Sequence, residues 1–563
     1  MHLERNKIKI LILVYICLIP ILVVFYSNNY HPNNDEAYQL QASIRLAEGK
    51  GVTSTFDATP TNKNMDSYKY LYWWPPGYSI FIAGFLKMGL NVDTAGKVIK
   101  TIVAILMLFF WAALYNKIIS TKKNIYFTFY LCLISILISI NFYLSTDLIY
   151  WTVFPLILLL LINYTETNKK HNIFSRKYIL LLGLSLTVTF LIFIKLHAVF
   201  IIILIALWLF FENYDKLKRV YIEIPFVSIL PTLAFIFIRY LNNSLANATS
   251  NNADVSQFTL KFLLNPEWYG NVILKYSEAL FMKPILVDKA IDHLITILNI
   301  ESSSFIVNSI ITLFILTTVL LAFRYNLKFF KNKLPLKFYI ISLVSLSLFY
   351  IILSGFGENY LRYWPWIRAR YHFMIFPLLL IVIIQVASKF DLKYSKLFVF
   401  GKYLSLIITF IIIFIISYYH YKPKFEGFTI NKNIIENNIQ SITEDYDGHS
   451  FAIASKPYFQ TILYDNFIPT YREHTSSVIF NDSTFFERKT TVFVILNDTV
   501  DLNYYVSDKK RIEFDDFIDS FNLRKLKGHD NQKILLYWKV FPKGFLFKNH
   551  YSAISRNFNS VNK

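Results

Sequence analysis

Two adjacent carboxylates, Asp35 and Glu36, open a short segment with the residue spacing of an amphipathic helix. Carboxylates in such a position can act as a general base or bind a metal ion beside a phosphate. An Asn residue followed by acids in the first turn is also what helix capping favours, so a purely structural role is the alternative. The apolar positions that follow at helical spacing are Ala37, Leu40, Ile44 and Ala47, and Gly49 and Gly51 end the pattern.

Further ionisable residues border long apolar runs. Asp147 follows Ser145-Thr146, where capping of a helix is the structural interpretation. Lys195 and His197 lie between two apolar runs, and a cation in such surroundings usually has a counterion or a function. Pairing with Asp147 is the structural alternative for Lys195.

Apolar runs of membrane-spanning length dominate the chain. Of its 563 residues 55% are hydrophobic and 17% charged, against roughly a quarter charged in soluble domains, which excludes a disordered chain and disfavours a soluble one. A spanning helix needs about 20 mainly apolar residues, and eleven segments qualify. They are 8–26, 98–116, 125–144, 148–164, 178–194, 198–211, 222–240, 305–323, 338–354, 371–387 and 403–420.

Basic residues alternate between the loops and set the orientation. With the N-terminus in the cytoplasm, the six cytoplasmic segments hold 22 Lys or Arg and five Asp or Glu, which accounts for 17 of the 20 net positive charges. The positive-inside rule thus explains the charge, and binding to nucleic acid is not expected. The abundance of Ile, Asn and Lys is typical of an AT-rich bacterial genome. We therefore predict a multi-pass protein of a bacterial cytoplasmic membrane with its C-terminal region outside.

The orientation leaves several polar segments on the outer side. They are the loop 27–97, the connection around Asp147, the loop 241–304, the turn 355–370 and the tail 421–563. Strand-like runs in the tail, at 451–455, 491–496 and 533–537, predict a small α/β domain. The predicted fold class is an α-helical polytopic membrane domain, residues 1–420, followed by an extracytoplasmic α/β domain, residues 421–563.

The outer turn 355–370 and the residue after it carry a basic cluster. Arg362, Arg368 and Arg370, followed by Tyr371, oppose the positive-inside trend, which indicates an anionic partner. Snorkelling of the side chains to lipid head groups is the alternative.

An aromatic and proline-rich segment, Tyr70 to Tyr78, closes the first outer loop with Pro75-Pro76-Gly77. On its own it is typical of an interfacial belt and of a stiff start to a helix. Four features follow one another in an order that resembles the C-type glycosyltransferase superfamily (GT-C). They are the acids after the first span, this segment, Asp147, and Arg370-Tyr371 before Pro377. The resemblance is to the branch of protein O-mannosyltransferases and lipid A aminoarabinose transferases, and it covers residues 1–420.

The resemblance implies transfer of a sugar, with inversion, from a polyprenyl-phosphate donor to a lipid, glycan or protein acceptor on the outer side. Asp35 matches the catalytic acid and is expected to be the general base, with Glu36 as the alternative. Asp147 matches a second acid, which would orient the acceptor or support Asp35. The residues expected to bind the lipid phosphate or substrate are Arg370, Tyr371, Arg368, Arg362, Lys195, His197, Lys69 and Tyr78.

Two departures from the family pattern concern the phosphate and the metal. Trp74 stands directly before the double proline, where lipid A-modifying relatives often have a basic residue, and the nearest cation is Lys69. An Asp-x-Asp motif is absent from the first outer loop, so no metal or other cofactor is expected to be obligatory; a divalent metal stays open as an alternative.

Two other classes of function are open. A polysaccharide polymerase or O-antigen ligase would carry its acids mainly in a long loop between late spans, and 241–304 offers few candidates beyond Glu267 and Asp292. A flippase or transporter of lipid-linked sugars would show ionisable residues at mid-membrane and related halves. The spans here are nearly free of charge, and the chain shows no internal repeat.

The lack of an Asp-x-Asp motif predicts that chelation leaves activity unchanged. Sugar transfer by membranes that contain the protein should proceed at the same rate with and without EDTA. The measurement is the initial rate of transfer before and after chelation. Loss of activity in EDTA that a divalent ion restores would contradict the prediction.

Overall fold

The apolar runs of the sequence form helices where the computed structural model describes them. In chain order the helices are α1 (Asn34–Ala47), α2 (Gly77–Lys87), α3 (Val92–Ile118), α4 (Asn124–Asn141), α5 (Ser145–Lys169), α6 (Phe174–Ile194), α7 (Phe200–Asn213), α8 (Leu217–Leu245) and α9 (Phe376–Ala387). The structure describes residues 34–54, 69–70, 74–119, 124–141, 145–169, 174–213, 217–245, 337–345 without 343, 375–387, 439–442 without 440, 449–454, 470–472, 489–497, 524–525 and 534–541.

Five of the described helices are long and apolar enough to cross a membrane. α4, α9 and α2 are apolar but contain shorter qualifying stretches. The predicted spans 8–26, 305–323 and 403–420 lie outside the described residues, so the count of eleven stays a prediction. The five spans are Thr94–Ile118, Thr146–Thr167, Arg176–Ile194, Leu196–Asn213 and Leu217–Leu241.

The chain divides into two compact units. One comprises residues 1–26 and 99–416, and the other comprises residues 27–98 and 417–563. The first unit holds most of the spanning helices, and the second holds α1, α2 and the described strands.

Within the first unit the chain reverses direction at Lys195. α6 ends at Ile194, Lys195 is extended with φ −155°, and a 3-10 turn, Leu196–Val199, leads into α7. Lys177, near the start of α6, and Asn213, at the end of α7, both contact Glu223 of α8. The two helices must therefore run in opposite directions, and α8 packs against both.

A buried polar cluster joins α5, α6, α7 and α8 at the end away from Lys195. The Glu223 carboxylate is 1% exposed, pairs with the Lys177 ammonium and accepts a hydrogen bond from the Tyr164 hydroxyl. Asn213 Nδ2 lies 3.3 Å from Glu223 Oε2 and 3.1 Å from the Tyr164 hydroxyl oxygen. Since buried charges are costly unless paired, this cluster fixes the four helix ends relative to one another.

The segment from α2 to α3 turns within a few residues. α2 starts directly after Pro76 and ends at Lys87. Gly89, with a φ of +89°, then closes a Schellman motif in which the Leu90 amide donates to the Phe85 carbonyl at 3.2 Å. Asn91 then caps α3, because its Oδ1 accepts from the Thr94 amide at 2.8 Å. The double proline thus marks a helix start, as the sequence predicts.

Strands occur in the first outer loop and in the tail. A short antiparallel pair joins β1 (Thr53–Ser54) to β2 (Lys69–Tyr70). The tail strands are β3 (His449–Ala454), β4 (Thr470–Arg472), β5 (Thr490–Asn497), β6 (Arg524–Lys525) and β7 (Ile534–Phe541). They form a mixed sheet of order β4-β3-β5-β7-β6. In it β3 is parallel to β4 and β5, and β7 is antiparallel to β5 and β6. The three predicted tail strands correspond to β3, β5 and β7.

Replacement of Glu223 by Ala should destabilise the helix bundle strongly. The change leaves the Lys177 ammonium buried without its carboxylate, and removal of one partner of a buried pair costs about 3–5 kcal/mol. The measurement is the melting temperature of the purified protein in detergent.

The matched control is Glu166→Ala, which breaks an ion pair with Lys117. The side chain of Glu166 is 53% exposed and that of Lys117 is 36% exposed. Exposed pairs contribute about 0–1 kcal/mol, so this variant should melt close to the wild type. Equal melting of both variants would contradict the importance assigned to the buried cluster.

Candidate active site

α1 places Asp35 and Glu36 in its first turn, as predicted. Residues 36–43 are all buried, including the polar side chains of Gln39, Gln41 and Ser43. The predicted helix is therefore present, and its polar side chains are buried along with its apolar ones. Burial on every side is possible because the Glu36 carboxylate, the Gln41 amide and the Ser43 hydroxyl form hydrogen bonds within the protein.

α2 anchors the first half of α1 through two consecutive residues. The Tyr78 hydroxyl donates to Glu36 Oε1 at 2.6 Å, and both residues are fully buried. The Ser79 hydroxyl donates to the main-chain carbonyl of Gln39 at 2.9 Å. Two residues that the sequence assigns to separate roles, catalysis for Glu36 and substrate binding for Tyr78, are thus joined by a hydrogen bond.

β1 anchors the second half of α1. The Ser54 hydroxyl donates to Gln41 Oε1 at 2.6 Å, and Arg45 Nε donates to the Thr53 hydroxyl at 2.7 Å. Ser54 also pairs through its main chain with Lys69 of β2, which places the Lys69 backbone one strand away from α1. Both ends of the acid-bearing helix are held by polar contacts.

Trp74 packs against α1 beside the double proline. Its ring stacks on Tyr38 with centroids 5.6 Å apart and planes 25° apart, and Val52 and Ala42 complete a small apolar cluster. Trp74 therefore has a packing role, and the interfacial belt stays a prediction.

The first unit contains the second predicted acid, Asp147, together with Lys195 and His197. Asp147, in the first turn of α5, is buried and pairs with the ammonium of Lys195. The His197 ring packs edge-on against Tyr150, one turn after Asp147, with centroids 5.3 Å apart. The ion pair considered as the structural alternative for Lys195 is formed.

The arginine cluster and Tyr371 stay predictions. Arg362, Arg368, Arg370 and Tyr371 lie outside the described residues, and their assignment to the phosphate rests on the sequence. Among the residues that the structure describes, no three His, Cys, Asp or Glu side chains are grouped to hold a metal ion.

Several contacts at α1 have no signal in the sequence. Ser54 and Ser79 are isolated serines, and their bonds to Gln41 and Gln39 depend on packing between separate segments. The Tyr78 bond to Glu36 spans 42 residues of sequence. Tyr78 was identifiable only through its place in the Pro-Pro-Gly-Tyr motif.

Comparison with solved structures identifies the fold. An oligosaccharyltransferase from Archaeoglobus fulgidus, crystallised with Zn and sulfate, superposes with a TM-score of 0.50 at 13% identity, covering 86% of this chain and 68% of that chain. The resemblance to GT-C proteins is therefore confirmed at the level of the fold. No protein-family model matches the sequence, and no curated protein matches it.

Two further structures show weaker likeness. The archaeal oligosaccharyltransferase AglB from Archaeoglobus fulgidus, in complex with an inhibitory peptide and a dolichol-phosphate, gives a TM-score of 0.47 at 12% identity over 89% of this chain and 70% of that chain. ArnT from Cupriavidus metallidurans in the apo state gives 0.45 at 11% identity over 95% and 98%.

Replacement of Lys195 by Met should destabilise the protein, and a second replacement should reverse the effect. Lys195→Met leaves the Asp147 carboxylate buried without its counterion, at a cost of about 3–5 kcal/mol. Asp147→Asn/Lys195→Met removes both charges and should recover most of the stability. Melting temperatures in detergent measure both effects, and a double variant as unstable as Lys195→Met would contradict coupling of the two charges.

Proposed function

We propose that this polytopic membrane protein of GT-C fold is a glycosyltransferase. It transfers a sugar from a polyprenyl-phosphate donor to an acceptor on the outer side of a bacterial cytoplasmic membrane, and the anomeric configuration inverts. Asp35 is the general base. The acceptor is a lipid, a glycan or a protein.

The observation that supports this function best is the construction of α1. A helix that begins with two acids is buried on all sides and held by polar contacts at both ends. Buried polar contacts of this kind fix a reacting group in place, which catalysis requires and helix capping does not. The GT-C fold agrees with the same class of reaction.

The reaction consists of a single displacement at the anomeric carbon. An acceptor hydroxyl attacks C1 of the sugar from the face opposite the phosphate, and the bond between C1 and the phosphate oxygen breaks. The polyprenyl phosphate leaves with the bonding electron pair, and Asp35 takes the proton of the attacking hydroxyl. Inversion follows because one attack replaces one leaving group.

The leaving phosphate needs cations at the membrane surface. We assign this role to Arg370, with Arg368 and Arg362, since guanidinium groups bind phosphate through two parallel hydrogen bonds. Lys69 is a further candidate because its backbone pairs with β1, the strand that is hydrogen-bonded to α1. Lys195 is a weaker candidate, because its charge is already paired with Asp147.

Replacement of Asp35 by Asn should abolish sugar transfer. The amide has the same shape but accepts no proton, and loss of a general base lowers rates by about 10²–10⁴-fold. The measurement is mass spectrometry of envelope lipids, glycans and proteins in a strain that lacks the gene and carries the variant. That strain should lack one sugar that the wild-type copy restores.

The matched control is Glu48→Gln, at the C-terminal end of the same helix, where an exposed acid pairs with Lys50. This variant should restore the sugar fully. Full activity of Asp35→Asn would contradict the assigned base. Accumulation of an intact lipid-linked sugar on the inner leaflet in the deletion strain would favour a flippase, and shortened polysaccharide chains would favour a polymerase.

A further inference from the structure

We infer that Tyr78 and Glu36 are positioning residues that hold the first turn of α1 in the orientation Asp35 needs. The inference rests on the proposed function, because it assigns the base to Asp35. It also gives Glu36 a role other than proton transfer, and Tyr78 a role other than binding of substrate.

The burial of the pair separates it from the substrate. Glu36 and Tyr78 each have 0% of their surface exposed, and the hydroxyl donates to the carboxylate at 2.6 Å. A general base must reach the proton that it removes within hydrogen-bond distance. A fully buried carboxylate that already accepts from a tyrosine is suited to hold a helix rather than to meet an acceptor hydroxyl.

Two anchors in the first half of α1 prevent the helix from rotating. They are the Glu36 side chain and the main-chain carbonyl of Gln39, which lie within one turn of each other. Their partners, Tyr78 and Ser79, are adjacent on α2. A rotation of α1 about its own axis would break both hydrogen bonds together, and each broken bond would take this acceptor away from a buried hydroxyl, that of Tyr78 or of Ser79.

The backbone of Asp35 is directly joined to the anchored residue. Consecutive helical residues are separated by about 100° around the axis, so the orientation of Glu36 determines the direction in which residue 35 projects. Displacement of a catalytic group by about 1 Å can lower a rate about 100-fold. The hydroxyl of Tyr78 therefore acts on catalysis through α1, without touching the reacting atoms.

Three substitutions distinguish positioning from proton transfer. Tyr78→Phe removes the donor and keeps the ring, so the initial rate of sugar transfer should fall about 10- to 100-fold. Glu36→Ala should show a similar loss, and Tyr78→Phe/Glu36→Ala should be no slower than either single variant. Glu36→Gln keeps an oxygen that accepts from Tyr78 and should stay within about threefold of the wild type.

The rates are measured with membranes of the deletion strain as the source of donor and acceptor. Tyr221→Phe is the matched control, because Tyr221 lies on α8 and its side chain is 76% exposed. It should leave the rate unchanged. If Glu36→Gln is as inactive as Asp35→Asn, Glu36 handles the proton and the inference is wrong.

Hydrogen exchange of the purified protein in detergent gives a readout that needs no substrate. Tyr78→Phe should accelerate amide exchange in residues 36–43, and Tyr221→Phe should not. Unchanged exchange in Tyr78→Phe overturns the inference. An inactive Asp35→Asn with a fully active Tyr78→Phe overturns it while the proposed function stands, whereas a fully active Asp35→Asn overturns both.

Discussion

A charged group that leaves water must meet a partner, and this requirement organises the described part of the molecule. The α5–α8 bundle has one buried ion pair at each end, Lys177 with Glu223 and Lys195 with Asp147. Between them the facing side chains are almost entirely apolar. Apolar packing alone gives little direction to helices within lipid, so the two pairs set which helix ends meet.

The same requirement shapes the second unit in a different way. The residues of α1 are on average too polar for an ordinary core helix, yet the helix is buried from Glu36 to Ser43. Hydrogen bonds from α2 and β1 lower the free-energy cost of that burial, because the side chains of Glu36 and Gln41 exchange water for a protein partner. These hydrogen bonds hold the first turn of α1 rigidly. The fold thus fixes the position of the acids that the proposed reaction uses.

The sequence predicts elements well where a long pattern specifies them. The apolar runs, the helix after Asn34 and the helix after Pro76 follow from length, capping and proline chemistry. It predicts contacts poorly, because the hydrogen bond between Tyr78 and Glu36 depends on how two helices pack. The polar face of α1 illustrates this: Gln39, Gln41 and Ser43 have the pattern of solvated residues, and only tertiary packing reveals their burial.

The ion pair between Asp147 and Lys195 has a consequence for biogenesis. Asp147 precedes Lys195 in the chain, so during N-to-C insertion the carboxylate of α5 reaches the bilayer before the hairpin of α6 and α7 is complete. An unpaired Lys between two apolar runs raises the free energy of inserting the hairpin into the bilayer. A counterion that is already present in the membrane lowers this cost. Because the acid is synthesised before the base, the order of synthesis favours assembly of the bundle.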